Sequence, residues 1–146
     1  MAALGPKGAR LAYLSQFLGT IEAHANHFLN VMGSPLQVTL SLGEGSLELG
    51  VKGAGEGKYE WASSGEQRRV DIAVMLAMAE AAAAVGAVPA GAPLVIDEAF
   101  DTLDGEGVES LVAMALDISK RRQVFLISHA APVLPLGTNI QTLVLG

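Results

Sequence analysis

Two short apolar runs, Leu94-Val95-Ile96 and Gln123 to Ser128, flank a helical pattern from about Gly105 to Ser119, and this arrangement constrains the fold most. Strand, helix and strand at this spacing make a parallel βαβ unit, because parallel strands need a long crossover that a tight hairpin cannot supply. The second half of the chain is therefore expected to lie in an α/β sheet. Ile140 to Leu145, after a Pro-rich connection, is expected as a third strand. Unbroken apolar runs also predict strands buried on both faces.

The first half reads differently. Leu11, Leu14, Phe17, Leu18, Ile21, Ala25, Phe28 and Leu29 recur at three and four, the stripe of an amphipathic helix over about Leu11 to Met32. Gly33-Ser34-Pro35 ends it. Leu36 to Leu42 alternates apolar and polar, as do Leu47, Leu49 and Val51 after Gly43-Glu44-Gly45, which predicts a β-hairpin over 36–52. Lys52 to Glu60, with three glycines among charges, reads as a surface loop. A long helix follows from about Ser64 to Val85, capped by Ser63 or Ser64, with Glu66 near its first turn.

Composition limits the classes of function. A length of 146 residues fits one domain, at roughly 100 to 200 residues each. With 51% hydrophobic and 16% charged residues the chain is too apolar for disorder. Nine Lys and Arg against fifteen Asp and Glu give a net charge of −6, so the surface as a whole is poorly suited to nucleic acid. Cysteine is absent, which removes disulfides, a thiolate nucleophile and Cys-ligated zinc, and fits a cytoplasmic setting. Val70 to Pro93 is the most apolar stretch, but Asp71, Glu80, Gly86, Pro89 and Gly91 interrupt it, so it reads as a buried helix and not a membrane span. Met1 to Lys7 lacks the pattern of a secretory signal, so export is not expected.

Reactive groups in open parallel sheets collect at the carboxyl ends of strands, where Asp97-Glu98 and, one strand later, Ser128-His129 stand. A nucleotide-hydrolysing site uses such an acidic pair: the first carboxylate holds magnesium and the second polarises the attacking water. Asp101 and Asp104 bring the local carboxylates to four, although Asp104 alone would read as a helix N-cap. The helix opening at Ser63-Ser64-Gly65 presents unpaired N–H groups among small side chains and can hold a phosphate. Arg68 and Arg69 could reach nucleotide, a neighbouring subunit or a local acid such as Glu66 or Asp71. Lys120-Arg121-Arg122 reads as solvated cations at a helix C-terminus. His24 and His27 have no evident third ligand for zinc and read as surface residues.

The order Ala62-Ser63-Ser64-Gly65-Glu66-Gln67, Leu94-Val95-Ile96-Asp97-Glu98, Thr102-Leu103-Asp104, Ile127-Ser128-His129 resembles the second half of an ABC-type ATPase. The resemblance implies a signature motif at Ser63, Ser64, Gly65 and Glu66, with Ser64 where the family has its first signature glycine. It further implies a Walker B pair with Asp97 on Mg2+ and Glu98 catalytic, a D-loop ending in Asp104, and His129 as the switch histidine. ATP would be sandwiched between two protomers. Ser63 to Ala73 most resembles the SMC-like repair and recombination branch, the SbcC type and its phage relatives.

A Walker A loop requires Gly, four residues, then Gly-Lys and Ser or Thr. Gly57-Lys58 is followed by Tyr59 and preceded by Lys52 at the first glycine's place, so the chain has no such loop. It is expected to be inactive alone and to need an N-terminal Walker A lobe, from the same protein or a separate chain. The resemblance then implies residues 1–34 as a linker and a helix leaving a coiled coil, and 35–146 as a C-terminal ATPase lobe. Within that lobe fall the hairpin 36–52, the signature helix 64–85, and the Walker B, D-loop and histidine switch within 94–129. A second head as dimer partner, an SbcD-type nuclease, DNA contacted through the full assembly, and no membrane complete the implied setting. A non-catalytic interaction module and the nucleotide-binding domain of an ABC transporter are the alternatives. An incomplete apolar sheet is expected to expose an apolar face of several hundred Å² or more to the missing lobe.

Overall fold

The computed structural model describes residues 6–43, 46–53, 58–89, 91–98, 100, 103–129 and 141. The strand expected over Ile140 to Leu145 lies outside them apart from Gln141, as do Asp101 and Thr102. Helix α1 runs Pro6–Val31 and opens on a proline, whose missing N–H costs nothing at a first helical position. It closes at Gly33, φ +67°, with Ser34 N donating to Leu29 O at 2.9 Å, a left-handed glycine stop. Leu18, Ile21, Ala25, Phe28, Leu29 and Met32 are buried, so the expected stripe holds over the C-terminal half. The N-terminal half departs from it: Leu11 and Leu14 are 58% and 40% exposed, because the helix, about 39 Å long at 1.5 Å per residue, outruns the body beneath it.

Strands β1, Gln37–Leu42, and β2, Leu47–Lys52, pair antiparallel with Val38 opposite Val51, both fully buried. Polar side chains of α1 complete the edge of β1. Asn26 accepts from Val38 N at 2.8 Å and donates to Val38 O at 2.9 Å, while Glu22 accepts from Leu40 N at 2.8 Å. These side chains satisfy backbone groups that would otherwise stand unpaired beside a helix.

Helix α2, Ser64–Ala84, lies against α1 and buries Val70, Ala73, Leu76, Ala77 and Ala81. Its alanines let the two helices approach closely. Strand β3, Leu94–Ile96, then helix α3, Gly105–Ser119, and strand β4, Val124–Leu126, form the expected unit: β3 and β4 pair in parallel with Leu94 opposite Val124 and Ile96 opposite Leu126. Leu111, Val112, Met114 and Ile118 of α3 complete the core.

Two expectations need correction. Burial of β3 and β4 on both faces does not hold: Ile96 is buried, but Val95, Phe125 and Ile127 are 54%, 51% and 47% exposed. A two-stranded sheet covered on one side leaves alternate side chains in solvent, so the apolar run reflects a face that nothing in the described chain covers. The cluster Lys120-Arg121-Arg122 is also not simply solvated. Arg122, its side chain 9% exposed, lies 2.5 Å from Glu80 of α2, and Arg121 lies 3.7 Å from the same carboxylate. The Arg122–Glu80 contact is close but not aligned as a hydrogen bond, and Arg122 Nε has no acceptor among the described residues.

His27 joins α1 to α3 through Asp117 Oδ2 at 2.9 Å, and Lys120 and Arg121 approach the same carboxylate. His27 and Lys120, by hydrogen bonding, hold the Asp117 carboxyl down to about 2. Among the described residues no helix is long and apolar enough to cross a membrane.

Candidate functional site

Four structural termini carry the residues singled out in the sequence: the start of α2, the end of β3, the start of α3 and the end of β4. At the start of α2, Ser63 is the N-cap in extended conformation. Its hydroxyl accepts from Glu66 N at 3.3 Å, while Glu66 Oε2 accepts from Ser63 N at 2.8 Å and from the Ser63 hydroxyl at 2.9 Å. This is a capping box, and its S-x-x-E spacing is why the helix begins here. Those hydrogen bonds from Ser63, with Arg69 close by, hold the Glu66 carboxyl below its ordinary value. Ser64 and Gly65 are exposed, and their N–H groups, the first two of the helix, have no acceptor among the described residues.

Gly65 has no internal reason to be glycine. Its φ is not positive, and a Cβ built on it would meet nothing within 4 Å.

At the end of β3, the burial changes over one residue, from Ile96 to the exposed Asp97 and Glu98. Glu98 adopts φ +51°, a left-handed conformation costing on the order of 1–3 kcal/mol for a non-glycine residue. Its N–H donates to Asp97 Oδ1 at 2.9 Å, which fixes the turn. Asp97 Oδ2 has no partner among the described residues. A cleft of about 210 Å³ lies beside this pair, between the end of β3 and the first turns of α2, with Arg68, Asp71 and Met75 on its far wall.

Asp104 caps α3, accepting from Gly107 N at 2.8 Å. The cap reading of this residue therefore holds, and Asp104 is exposed. Arg69 pairs with Glu106 at 3.0 Å, tying the first turns of α2 and α3 together. That partner lies 37 positions away, not among the local acids expected. The register of β3 and β4 continues past the strands, with Ile127 N donating to Ile96 O at 2.9 Å, so the acidic pair and the Ser128-His129 segment leave the same carboxyl edge. His129 is exposed there, and Ser128 is partnered.

The arrangement offers hard oxygen ligands, suited to magnesium, at one sheet edge and free N–H donors at one helix end. Among the described residues no three His, Asp or Glu side chains are grouped as a cation site would need, and the exposed Asp97 carboxylate is of the hard-oxygen type that magnesium takes. Sequence reading missed the aromatic Trp61, 59% exposed on the 3₁₀ turn Tyr59–Trp61 just before Ser63. An exposed tryptophan leaves no periodic signal.

No protein-family model matches the chain. Exonuclease subunit 2 of Enterobacteria phage T4 is 30% identical over 129 residues, which cover 86% of this chain and 22% of that protein. The chain thus spans about a fifth of the length of this curated relative. Among solved structures, an SMC ATPase described for ATP-driven dimerization and DNA-stimulated activation superposes with a TM-score of 0.64 at 21% identity, covering 82% of this chain and 72% of that one. An SMC head bound to the C-winged helix domain of ScpA gives 0.63 at 22% identity, over 86% of this chain and 39% of that one. The chain is therefore a homologue of one part of the phage exonuclease subunit and has the fold of the SMC ATPase heads, the class its motif order resembles.

Proposed function

We propose that this chain is the C-terminal half of an SMC/SbcC-like ATPase head, hydrolysing ATP at a dimer interface once a Walker A lobe completes it. One observation carries the reading. The parallel pair whose carboxyl edge bears Asp97 and Glu98 turns an uncovered apolar face, Val95, Phe125 and Ile127, to solvent. Uncovered apolar surface beside an acidic edge is what a catalytic sheet presents without the helical layer that a further lobe lays on that face.

In this reading Ser63, Ser64 and Gly65 receive the γ-phosphate of an ATP held by the opposite head, through the free N–H groups at the start of α2. Glu66 sets the cap that holds that helix end in place. Glu98, held outward by its left-handed backbone, accepts a proton from the attacking water, and His129 donates to the γ-phosphate from the neighbouring strand end. Asp97 would ligate Mg2+, which when bound neutralises charge on the transferring phosphate. Asp104, at the start of α3, belongs to the segment facing the second head.

Residues 1–34 then form a linker and the helix leaving a coiled coil, and residues 35–146 the lobe itself. The exposed Leu11, Tyr13 and Leu14 suit packing against a second helix. Relatedness to a phage exonuclease subunit supports a role in DNA repair or recombination in the cytoplasm, beside an SbcD-type nuclease, with DNA bound by the full assembly. The decisive experiment is Glu98→Gln in the completed head. ATP binding and ATP-dependent dimerisation are expected to persist while turnover falls by at least a hundredfold. Undiminished hydrolysis would refute the assignment.

A further inference from the structure

The turn that precedes α2 combines a fixed backbone with an idle ring. Trp61 N donates to Lys58 O at 3.1 Å and Ala62 N to Tyr59 O at 3.1 Å. The turn is anchored to α2 by Tyr59 Oη donating to Asp71 at 2.7 Å and by Gln67 Nε2 donating to Tyr59 O at 3.2 Å, and to the hairpin by a bridge between Lys58 and Gly50. Yet the indole itself is 59% exposed and stacks on no other ring among the described residues. An apolar ring of this size normally finds cover in the core, so a rigid mount that holds it in water points to a ligand.

The ring borders an open concavity of about 740 Å³ whose other walls are the outer hairpin face, Lys58 and Glu60. Gly50 keeps the floor low: a Cβ there would stand 2.6 Å from the Thr39 hydroxyl, which lines the same space. The concavity therefore offers a stacking plane, a carboxylate acceptor, an ammonium donor and a hydroxyl. An adenine base supplies the complement: a π-face, an exocyclic amine that donates, and ring nitrogens that accept. Glu48 and Glu60 outweigh Lys58 in charge on these walls, which disfavours a polyphosphate backbone lying in the same place.

We propose that Trp61, Glu60 and Lys58, set against the hairpin, form an adenine seat that holds the base of the nucleotide whose γ-phosphate meets the start of α2. The placement of the phosphates rests on the function proposed above; the seat itself rests on the concavity. Trp61 stands two residues before Ser63, a backbone reach of about 7 Å, which is short enough for one nucleotide to meet both. The seat would make this lobe contribute to base recognition as well as to closure over the triphosphate.

Trp61 is the only tryptophan, so its fluorescence reports on the seat directly. The chain is titrated with adenosine, with purine riboside, which lacks the exocyclic amine, and with a thymidine oligonucleotide, and Glu60→Met, which has no acceptor oxygen, is titrated in parallel. Adenosine is expected to quench saturably and about fivefold more tightly than purine riboside, and Glu60→Met is expected to erase that difference. Linear, unsaturable quenching, equal affinity for the two nucleosides in the unsubstituted chain, or tighter binding of the oligonucleotide would each overturn the seat. Adenosine carries no phosphate, so the two ideas separate. ATP-driven assembly of the completed head without saturable quenching by adenosine refutes the seat alone, whereas saturable quenching without ATP-driven assembly refutes the ATPase reading and leaves the seat.

Discussion

Replacing Gly65 with alanine separates a glycine that the fold requires from one that a phosphate requires. The residue is the second of α2, exposed, with negative φ, and an added Cβ has open space to 4 Å. Alanine exceeds glycine in helix propensity by about 0.8–1.0 kcal/mol in a helix interior, and somewhat less at the first turn. For a chain of this length each kcal/mol moves Tm by about 4 °C, so Gly65→Ala is expected to leave Tm unchanged or raise it by about 2–4 °C. The function should move the other way. Cα–Cβ bonds tilt toward the helix N-terminus, so the new methyl projects into the space where an anion would meet the free N–H groups. Displacing a charged acceptor from one such donor loses about 1.5–3 kcal/mol, or roughly ten- to a hundredfold in ATP-dependent assembly. Differential scanning calorimetry of the chain and sedimentation of the completed head with ATP read the two effects. A drop in Tm, or assembly at undiminished affinity, would show the reasoning to be wrong.

Two further outcomes follow from charge pairs outside the site. Glu80→Ala strands the buried Arg122 guanidinium and is expected to lower stability by about 3–5 kcal/mol in urea unfolding, whereas the paired apolar exchange Glu80→Leu with Arg122→Met should recover most of it. Equal loss in both variants would mean that packing volume, not charge, matters there. Asp117 titrates at about 2 when folded against an ordinary value of 3.8, so its contribution to stability is complete above about pH 4 and disappears as pH falls toward about 2. Asp117→Asn should flatten that acid limb of the stability curve, and an unchanged limb in melts across this range would count against the His27–Asp117–Lys120 contact.

Much of the architecture was legible because those elements pack on their own chain. Helix α3 keeps its apolar residues on the side that meets α1 and β4, and it occupies the expected span. The hairpin alternates because one face meets α1, and Ser63 with Glu66 announces the start of α2 through a local hydrogen-bond pair. Other features were opaque for particular physical reasons. Asn26 and Glu22 satisfy the edge of β1 across a distance no pattern encodes, and Arg122 is buried because α2 brings Glu80 to it. The left-handed turn at Glu98 is a backbone state that residue identity argues against, since glutamate rarely adopts it.

The remaining divergences share one direction. Leu11 and Leu14 on α1, Val95 and Phe125 on the sheet, and Trp61 before α2 are all apolar side chains left in water, and Gly65 is a small residue with room to spare. A chain packing only on itself would lose little by making these positions polar or larger, and would gain solubility and helix propensity by doing so. Sequence periodicity records that a side chain needs cover without recording which molecule provides it, so these positions read as core in the sequence and as surface in the structure. In the proposed head the cover would come from different sources: a second helix along α1, the helical layer of the Walker A lobe over β3 and β4, and a nucleotide near Trp61 and Gly65. Each source can be tested apart from the others, because the three patches lie on separate elements and polar substitution in one leaves the packing of the other two intact.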